Sequence, residues 1–320
     1  MESRFTVWTS LAAAFLTAIL GAQIYQAATR PIGSGEAYLY DRFVRPTARQ
    51  VLSSELPDRD VLYTLLEKRS VGLFHVSPFS VRLPGLLFGI LYLWSVWQIT
   101  RLILGAGWLS LGGLVVAVAV PFGCGWFARA DGPGIALALA VCALWLVLDR
   151  KNLTLAGACL GLSVAARLDF AIPVAVVVVA LLAGRRWTDW TDRILVPAAV
   201  VAMIFLALPL SHAHAAAEVT PELTESQAIY LQSALEALRA NAGAEHIRIG
   251  ASPSAEPVVN FYRAQHRATS WERAQRDYSS EHFDYYLLST DESGWLLHRD
   301  LSVLYRDGDF VLARRSSAPM

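Results

Sequence analysis

The sequence predicts an α-helical polytopic membrane protein whose last third forms a small α/β domain. Hydrophobic residues make up 55% of the chain and charged residues only 17%, with a mean hydropathy of +0.41, which is too apolar for an ordinary soluble protein. The apolar residues are also clustered, since residues 83–210 form a nearly continuous apolar tract and the residues after 215 do not. We therefore predict a transmembrane domain over residues 1–214 and a soluble α/β domain over residues 215–320.

Seven apolar stretches are candidates for membrane-spanning helices, because about 20 apolar residues cross a bilayer. The middle stretches are short, so this count carries an error of one. The predicted segments are residues 7–28, 83–104, 109–127, 134–148, 153–166, 170–184 and 194–211. The first could instead be a cleaved signal peptide, because Arg4 precedes its apolar core. We favour an uncleaved helix, because the run is longer than a usual signal core.

The basic residues predict which loops face the cytoplasm, because cytoplasmic loops carry an excess of Lys and Arg. If the helices alternate in direction, one side collects Arg4, Arg101, Arg150, Lys151, Arg185, Arg186 and Arg193. The opposite, extracytoplasmic side then holds the long first loop (residues 29–82), the connections 129–131 and 167–169, and the C-terminal domain. We expect an integral protein of the bacterial inner (cytoplasmic) membrane with this domain outside.

Composition and motifs argue against several other classes of function. Basic and acidic residues number 27 each, whereas a nucleic-acid-binding surface normally carries a basic excess. No phosphate-binding loop and no GxGxxG motif is present. His212 and His214 form only an isolated HxH pair, so no metal site is predicted. The three cysteines lie in or beside apolar segments and are interpreted as small core residues.

The long first loop has helical patterning of its own. Residues 46–52 and 61–74 carry apolar side chains at helical spacing with charges between them. This pattern is typical of helices lying in the membrane interface, although simple packing against the helix bundle would produce it as well.

Several motifs in order resemble the amino-terminal half of C-type membrane glycosyltransferases, the GT-C fold. They are Gly35-Glu36-Ala37-Tyr38 after the first helix, the loop helix from Val61 to Leu66, and Phe79-Ser80-Val81-Arg82-Leu83-Pro84-Gly85 at the start of the second. The resemblance continues weakly through Arg129 and Arg167 and covers residues 7–185. Relatives of this kind are the dolichyl-phosphate-mannose protein mannosyltransferases and the lipid A aminoarabinose transferases.

The resemblance implies transfer of a sugar from a polyprenyl-phosphate donor to an extracytoplasmic acceptor. An inverting transfer needs a carboxylate to accept the proton of the acceptor hydroxyl, and Glu36 matches the position of the family's first-loop acid. Asp58 and Asp60 are candidates for a second polar contribution, although a solvated turn after Pro57 explains them equally well.

The leaving polyprenyl phosphate gains negative charge in the transition state and needs cationic donors. Arg129 and Arg167 are the candidates, because a guanidinium binds phosphate oxygens in pairs and stays charged near a membrane. The alternative for each is an ordinary interfacial arginine with its stem in lipid and its head in water.

Departures from the family leave a second function open. Members usually have more helices than seven, and Arg59-Asp60 replaces the polar and histidine residues expected there. The alternative is therefore a non-catalytic GT-C-like structural subunit of a larger membrane complex. A small transporter is disfavoured, because the helices lack paired charges and show no inverted repeat.

The C-terminal residues predict a mixed sheet with flanking helices. Residues 222–240 and 255–265 are predicted helices, residues 246–250 and 284–289 predicted strands, and residues 301–305 and 310–313 a hairpin around Arg306-Asp307-Gly308-Asp309. Tyr262, Arg263, His266 and Trp271 could bind a sugar or a protein partner, but core and surface roles are the more frequent ones for such residues.

Overall fold

The computed structural model describes residues 2–45, 61–105, 107–130, 132–149, 152–167, 170–171, 223–243, 246–276, 283–292 and 301–315. The chain divides into two compact units. The first unit comprises Met1–Thr29, Thr47–Leu73 and Phe79–Ala216. The second comprises Arg30–Pro46, Phe74–Pro78 and Ala217–Met320.

The described residues form helices in both units and strands in the second. The helices are α1 (Glu2–Thr29), α2 (Ser34–Leu39), a π-helical turn (Tyr40–Val44), α3 (Val61–Phe74), α4 (Pro78–Leu104), α5 (Trp108–Gly123), α6 (Gly132–Leu148), α7 (Leu153–Ala166), α8 (Glu225–Ala242) and α9 (Glu256–Gln265). The strands are β1 (Ile249–Ala251), β2 (Tyr285–Ser289), β3 (Leu301–Asp307) and β4 (Phe310–Arg315).

Two helices in the described part are long and apolar enough to cross a membrane, Val7–Thr29 and Pro78–Leu104. Three shorter apolar helices, α5, α6 and α7, occupy the next three predicted segments. The last two predicted segments, residues 170–184 and 194–211, lie outside the described residues except for residues 170 and 171. The predicted loop helix over residues 61–74 is confirmed as α3, and residues 46–52 are not among those described.

An aromatic cluster fills the core of the first unit. The rings of Tyr92, Phe122 and Phe127 come from α4, α5 and the α5–α6 connection, with ring centroids 4.8 to 6.1 Å apart. The Tyr92 hydroxyl donates to the Ala117 carbonyl at 2.6 Å, which supplies the hydrogen bond that a buried phenol needs. Gln23 of α1 donates from Nε2 to the Phe122 carbonyl at 3.2 Å. These contacts join α1, α4 and α5 around one core.

Two glycines let the α5–α6 connection pack against helices. A Cβ atom on Gly85 of α4 would lie 2.9 Å from the Phe127 carbonyl oxygen, and one on Gly134 of α6 would lie 2.6 Å from the Trp126 carbonyl oxygen. Both neighbours are backbone atoms, which cannot rotate away as a flexible side chain can. The backbone of residues 126–129 is therefore held closely between the beginnings of α4 and α6.

Replacing Gly134 by alanine is expected to destabilise the protein by about 1–3 kcal/mol, because the added methyl group overlaps a packed backbone carbonyl. Gly112→Ala is the matched control, since Gly112 lies inside α5 with nothing within 4 Å of the added atom. Chemical unfolding of the two variants in the same detergent measures the difference. Equal unfolding midpoints for both variants would contradict the close approach.

The second unit contains a four-stranded sheet with the strand order β1-β2-β4-β3. β1 is parallel to β2, and the other two pairs are antiparallel. The predicted hairpin is confirmed by β3 and β4, whose turn contains Gly308 at φ 55°. A Cβ atom there would lie 2.3 Å from the Tyr230 ring of α8, so both the turn and the packing require glycine.

A side-chain cap at Thr224 stabilises the beginning of α8. The Thr224 hydroxyl accepts from the Gln227 N–H at 3.3 Å, while the Gln227 side chain accepts from the Thr224 N–H at 2.9 Å. This reciprocal capping box satisfies N–H groups that have no partner within the helix. Ala228, Leu231 and Leu235 of α8 are buried, as expected for an amphipathic helix packed on a sheet.

Candidate functional site

Glu36 lies in the first turn of α2, where its carboxylate takes part in a cap. Oε2 accepts a hydrogen bond from the backbone N–H of Gly33, the N-cap residue, at 3.0 Å. The residue is half-buried. A carboxylate at this third helical position is the usual partner in a capping box, so the sequence Gly33-Ser34-Gly35-Glu36 fixes the side chain locally. The structure thus gives Glu36 a defined position and a structural role in the cap of α2.

C-terminal residues of the second unit hold the segment that carries Glu36. The Ser34 hydroxyl accepts from the backbone N–H of Leu223 at 3.0 Å. Arg30 forms an ion pair with Glu225 of α8 at 3.1 Å. These contacts join residues far apart in sequence, and nothing in the sequence pattern indicated that the C-terminal part anchors the first loop.

A ring contact continues this anchoring beyond α2. Tyr40 packs edge-on against Phe261 of α9, with ring centroids 5.2 Å apart and an angle of 83°. Both residues are buried. Glu36 therefore lies between two fixed points, Ser34 on one side and Tyr40 on the other.

Asp58 and Asp60, the candidates for a second polar contribution, lie outside the described residues. The same holds for His212 and His214. Within the described part, no group of three or more His, Cys, Asp and Glu residues could hold a metal ion.

Arg129 lies in the α5–α6 connection, and its side chain is exposed. Its backbone packs closely against α4. A Cβ atom added to Gly85 would lie 3.3 Å from the Arg129 carbonyl oxygen, so there is room only for glycine at that position. Ala128 packs with Ala27 and Leu86 in a small buried cluster. Arg129 therefore projects from a fixed backbone at the end of the first unit where α1 ends and α4 begins.

Arg167 is the C-cap residue that follows α7, and it is half-buried. Its backbone N–H donates to the Ser163 carbonyl at 3.1 Å. The Ser163 hydroxyl in turn donates to the Ala136 carbonyl in the first half of α6 at 2.7 Å, so the end of α7 lies beside the beginning of α6. Because Arg129 lies three residues before the first residue of α6, the structure brings Arg129 and Arg167 to the same end of the first unit.

Two buried charged residues at this end were not predicted as site residues. Arg82 of α4 is only 3% exposed and donates from Nη1 to the Ala27 carbonyl at the end of α1, at 3.1 Å. Glu67 of α3 has no exposed surface. Arg82 belongs to the motif Phe79–Gly85 at the start of α4, and this motif was the feature of the sequence that could have identified it. Glu67 gave none, since it stands beside Lys68 and Arg69 in an amphipathic helix, where charged residues are normally solvated.

The face of α3 that carries Glu67 is directed at the start of α4. Tyr63 and Ser70 share this face, because residues three and four apart lie next to each other on a helix. The Tyr63 hydroxyl donates to the Val81 carbonyl at 2.9 Å, and the Ser70 hydroxyl donates to the Ser80 carbonyl at 2.6 Å. Glu67 is therefore buried against the first turn of α4. Arg82 lies at the beginning of the second turn of the same helix.

Residues 61–212 match the family model described as dolichyl-phosphate-mannose-protein mannosyltransferase. The matched region is just under half of the chain and includes Glu67, Arg82, Arg129 and Arg167. No curated protein and no solved structure matches the chain. The family match, together with the apolar helices, supports a membrane glycosyltransferase of the GT-C type.

Proposed function

We propose that this protein transfers a sugar from a polyprenyl-phosphate donor to an acceptor on the extracytoplasmic side of a bacterial inner membrane. The observation that carries the proposal is the family match over residues 61–212, whose family name describes transfer from dolichyl-phosphate-mannose. That region contains the two arginines that lie at one end of the first unit.

In the proposed reaction Glu36 acts as the general base. The acceptor oxygen attacks the anomeric carbon, its proton passes to the Glu36 carboxylate, and the bond from the anomeric carbon to the phosphate oxygen breaks. The electron pair of that bond leaves with the polyprenyl phosphate. A base must lie within hydrogen-bond distance of the acceptor hydroxyl, so the reaction requires the fixed position that the cap at Gly33 provides. Asp58 and Asp60 stay candidates for an additional polar contact.

Arg129 and Arg167 are proposed to bind the donor phosphate. Their guanidinium groups would offset the charge that develops on the leaving phosphate, which is where preorganised donors lower the barrier. The buried Arg82 has a different role in this proposal. It joins the end of α1 to the beginning of α4 and thereby fixes the surface from which Arg129 projects.

Turnover tests the proposal directly. The purified protein in lipid nanodiscs is mixed with a panel of radiolabelled polyprenyl-phosphate sugars and a membrane extract as the source of acceptor. For at least one donor, we expect release of polyprenyl phosphate and transfer of the labelled sugar to an acceptor. Failure to consume any donor, by protein that is folded, would contradict the proposed transfer.

Removing the charge of either arginine is expected to weaken donor binding. Arg129→Gln and Arg167→Gln should each raise the dissociation constant for the donor by roughly ten- to a hundredfold, the equivalent of one charge-assisted hydrogen bond. Arg101→Gln is the matched control, because Arg101 lies in the last turn of α4, at its opposite end from Arg82. Equal donor affinity in all three variants would show that Arg129 and Arg167 do not bind the donor phosphate.

The proposed orientation predicts a labelling pattern. In a background with the exposed Cys124 replaced by serine, Ser54→Cys and Ser293→Cys should react with a membrane-impermeant maleimide from outside intact cells. Asn152→Cys, at the exposed N-cap of α7 beside the basic residues 150 and 151, should not react. Labelling of only one of the first two positions would overturn the helix parity.

One observation favours the alternative, a non-catalytic subunit of a larger membrane complex. Glu36 already has a structural role, since its carboxylate caps α2, and such a role requires no chemistry. In that case the C-terminal part of the second unit would hold protein partners rather than an acceptor. The two functions differ in what substitution of Glu36 by glutamine does.

A further inference from the structure

Two arginines of the second unit bind a single carboxylate, and a third arginine is held by the same part of the chain. Asp41 lies in the π-helical turn, and its side chain is only 8% exposed. Its Oδ1 atom accepts from Arg45 at 3.2 Å, one helical turn further along. Its Oδ2 atom accepts from Arg273, which follows α9 in the chain. Each oxygen of this carboxylate thus has its own guanidinium.

The third arginine, Arg263, is fixed by a backbone carbonyl instead of by Asp41. It lies in the last turn of α9, and its Nε donates to the Trp271 carbonyl at 2.5 Å. Trp271 is buried, so the Arg263 side chain leaves the helix along a packed surface rather than extending into solvent. Its two terminal nitrogens have no hydrogen-bond acceptor among the residues that the structure describes.

The cluster carries more positive charge than its carboxylate offsets. Three guanidinium groups and one carboxylate leave a net charge of +2. The pKa of Arg263 is lowered, first by partial burial and then by the positive charges of Arg45 and Arg273, while Asp41 acts in the opposite direction. Geometry agrees with this proximity, because the Trp271 carbonyl that binds Arg263 lies two residues before Arg273, and Asp41 accepts from both Arg273 and Arg45.

The guanidinium donors of this cluster match the acceptor oxygens of one class of ligand, the phosphomonoesters. A phosphomonoester carries a charge of about −1.5 to −2 at neutral pH and presents three acceptor oxygens. Guanidinium groups bind such oxygens in pairs and keep their charge in partly buried surroundings. A dianion would balance the excess charge and accept from the terminal nitrogens of Arg263. A neutral sugar accepts hydrogen bonds through its hydroxyl oxygens but leaves the excess charge unbalanced.

We propose that Arg45, Arg263 and Arg273, organised by Asp41, form a binding site for a phosphate group on the second unit. This site is separate from the arginines of the first unit and does not depend on the proposed sugar transfer. The phosphate can be that of a soluble phosphomonoester or that of a lipid headgroup, because both present the same oxygens.

The test uses the full-length protein in nanodiscs of phosphatidylcholine. Inorganic phosphate and glycerol 3-phosphate are titrated by calorimetry at constant ionic strength set with chloride. Arg45→Gln removes one exposed guanidinium and is expected to weaken binding about tenfold, as for the loss of one charge-assisted hydrogen bond. The double variant Arg45→Gln/Arg263→Gln leaves Asp41 its bond to Arg273 and should lose saturable binding. Arg306→Gln, which removes an exposed arginine of β3, is the charge-matched control.

A second arm identifies the source of the phosphate. The unfolding temperature of the full-length protein is measured in nanodiscs that contain phosphatidic acid and in nanodiscs of neutral lipid. An increase that disappears in Arg45→Gln, without binding of the soluble probes, assigns the site to a lipid headgroup. If the soluble probes do not bind and phosphatidic acid has no effect, or if Arg45→Gln and the double variant leave binding unchanged, the cluster is only a solvated ion-pair network and the proposal is overturned.

Discussion

Glu36→Gln is expected to abolish sugar transfer while the protein stays folded and still binds its lipid donor. The amide has the same shape as the carboxylate, and its oxygen can still accept the hydrogen bond from Gly33, so the cap of α2 is kept. The amide cannot take the proton of the acceptor hydroxyl. Loss of general-base catalysis should lower turnover by about 10²- to 10⁴-fold. The measurement is release of polyprenyl phosphate per enzyme, with circular dichroism as the check on the fold.

Glu36→Ala provides the comparison that separates catalysis from structure. Alanine removes both the base and the cap, and loss of a cap typically costs about 0.5–2 kcal/mol. We expect Glu36→Ala to be inactive and less stable, and Glu36→Gln to be inactive at wild-type stability. If Glu36→Gln turns over donor at the wild-type rate, the carboxylate serves only as a cap and the subunit function is favoured.

Arg82→Met is expected to produce the largest loss of stability, about 3–5 kcal/mol, as measured for breaking buried charged contacts. The side chain is almost wholly buried, and its guanidinium holds the Ala27 carbonyl at the end of α1. Methionine fills a similar volume but leaves that carbonyl without this donor. It also takes a positive charge from the end of the unit where Glu67 is fully buried.

The control for Arg82 is Arg129→Met, which removes an exposed arginine at the same end of the first unit. Unfolding in a series of denaturant concentrations in one detergent compares the two. Arg129→Met should unfold close to the wild-type midpoint and Arg82→Met well below it. Similar midpoints for the two variants would mean that Arg82 does not tie α1 to α4.

The helices and strands of the described residues could largely be predicted from local pattern. Helix α3 begins and ends where the apolar spacing of residues 61–74 indicated. The β3–β4 hairpin follows from a turn sequence with Gly308 between two apolar runs. In both cases the residues that decide the structure are neighbours in sequence, so a pattern over a few turns contains the information.

The burial of charged residues could not be predicted in this way. Glu67 and Arg82 look like solvated charges in sequence, because helical spacing alone does not tell which charged side chain another helix will cover. Burial of Arg82 depends on the Ala27 carbonyl, which belongs to a helix more than fifty residues earlier in the chain. The hydroxyl contacts of Tyr63 and Ser70 that orient Glu67 are likewise contacts between helices.

The anchoring of Glu36 also depends on distant residues. The sequence indicated an acidic first loop and, separately, an α/β region at the C terminus. The bonds from Ser34 to Leu223 and from Arg30 to Glu225 place the loop and the C-terminal elements in one compact unit. No local signal predicts such pairs, since the individual residue types are common in loops.

Native mass spectrometry of gently solubilised protein tests the central claim most directly. A donor-dependent glycosyltransferase should retain polyprenyl phosphate or its sugar conjugate as an adduct, and Arg129→Gln/Arg167→Gln should lose that adduct while Arg101→Gln keeps it. A structural subunit should instead arrive in fixed stoichiometry with partner proteins and carry no such lipid. The proposed function predicts the first spectrum, and the second would contradict it.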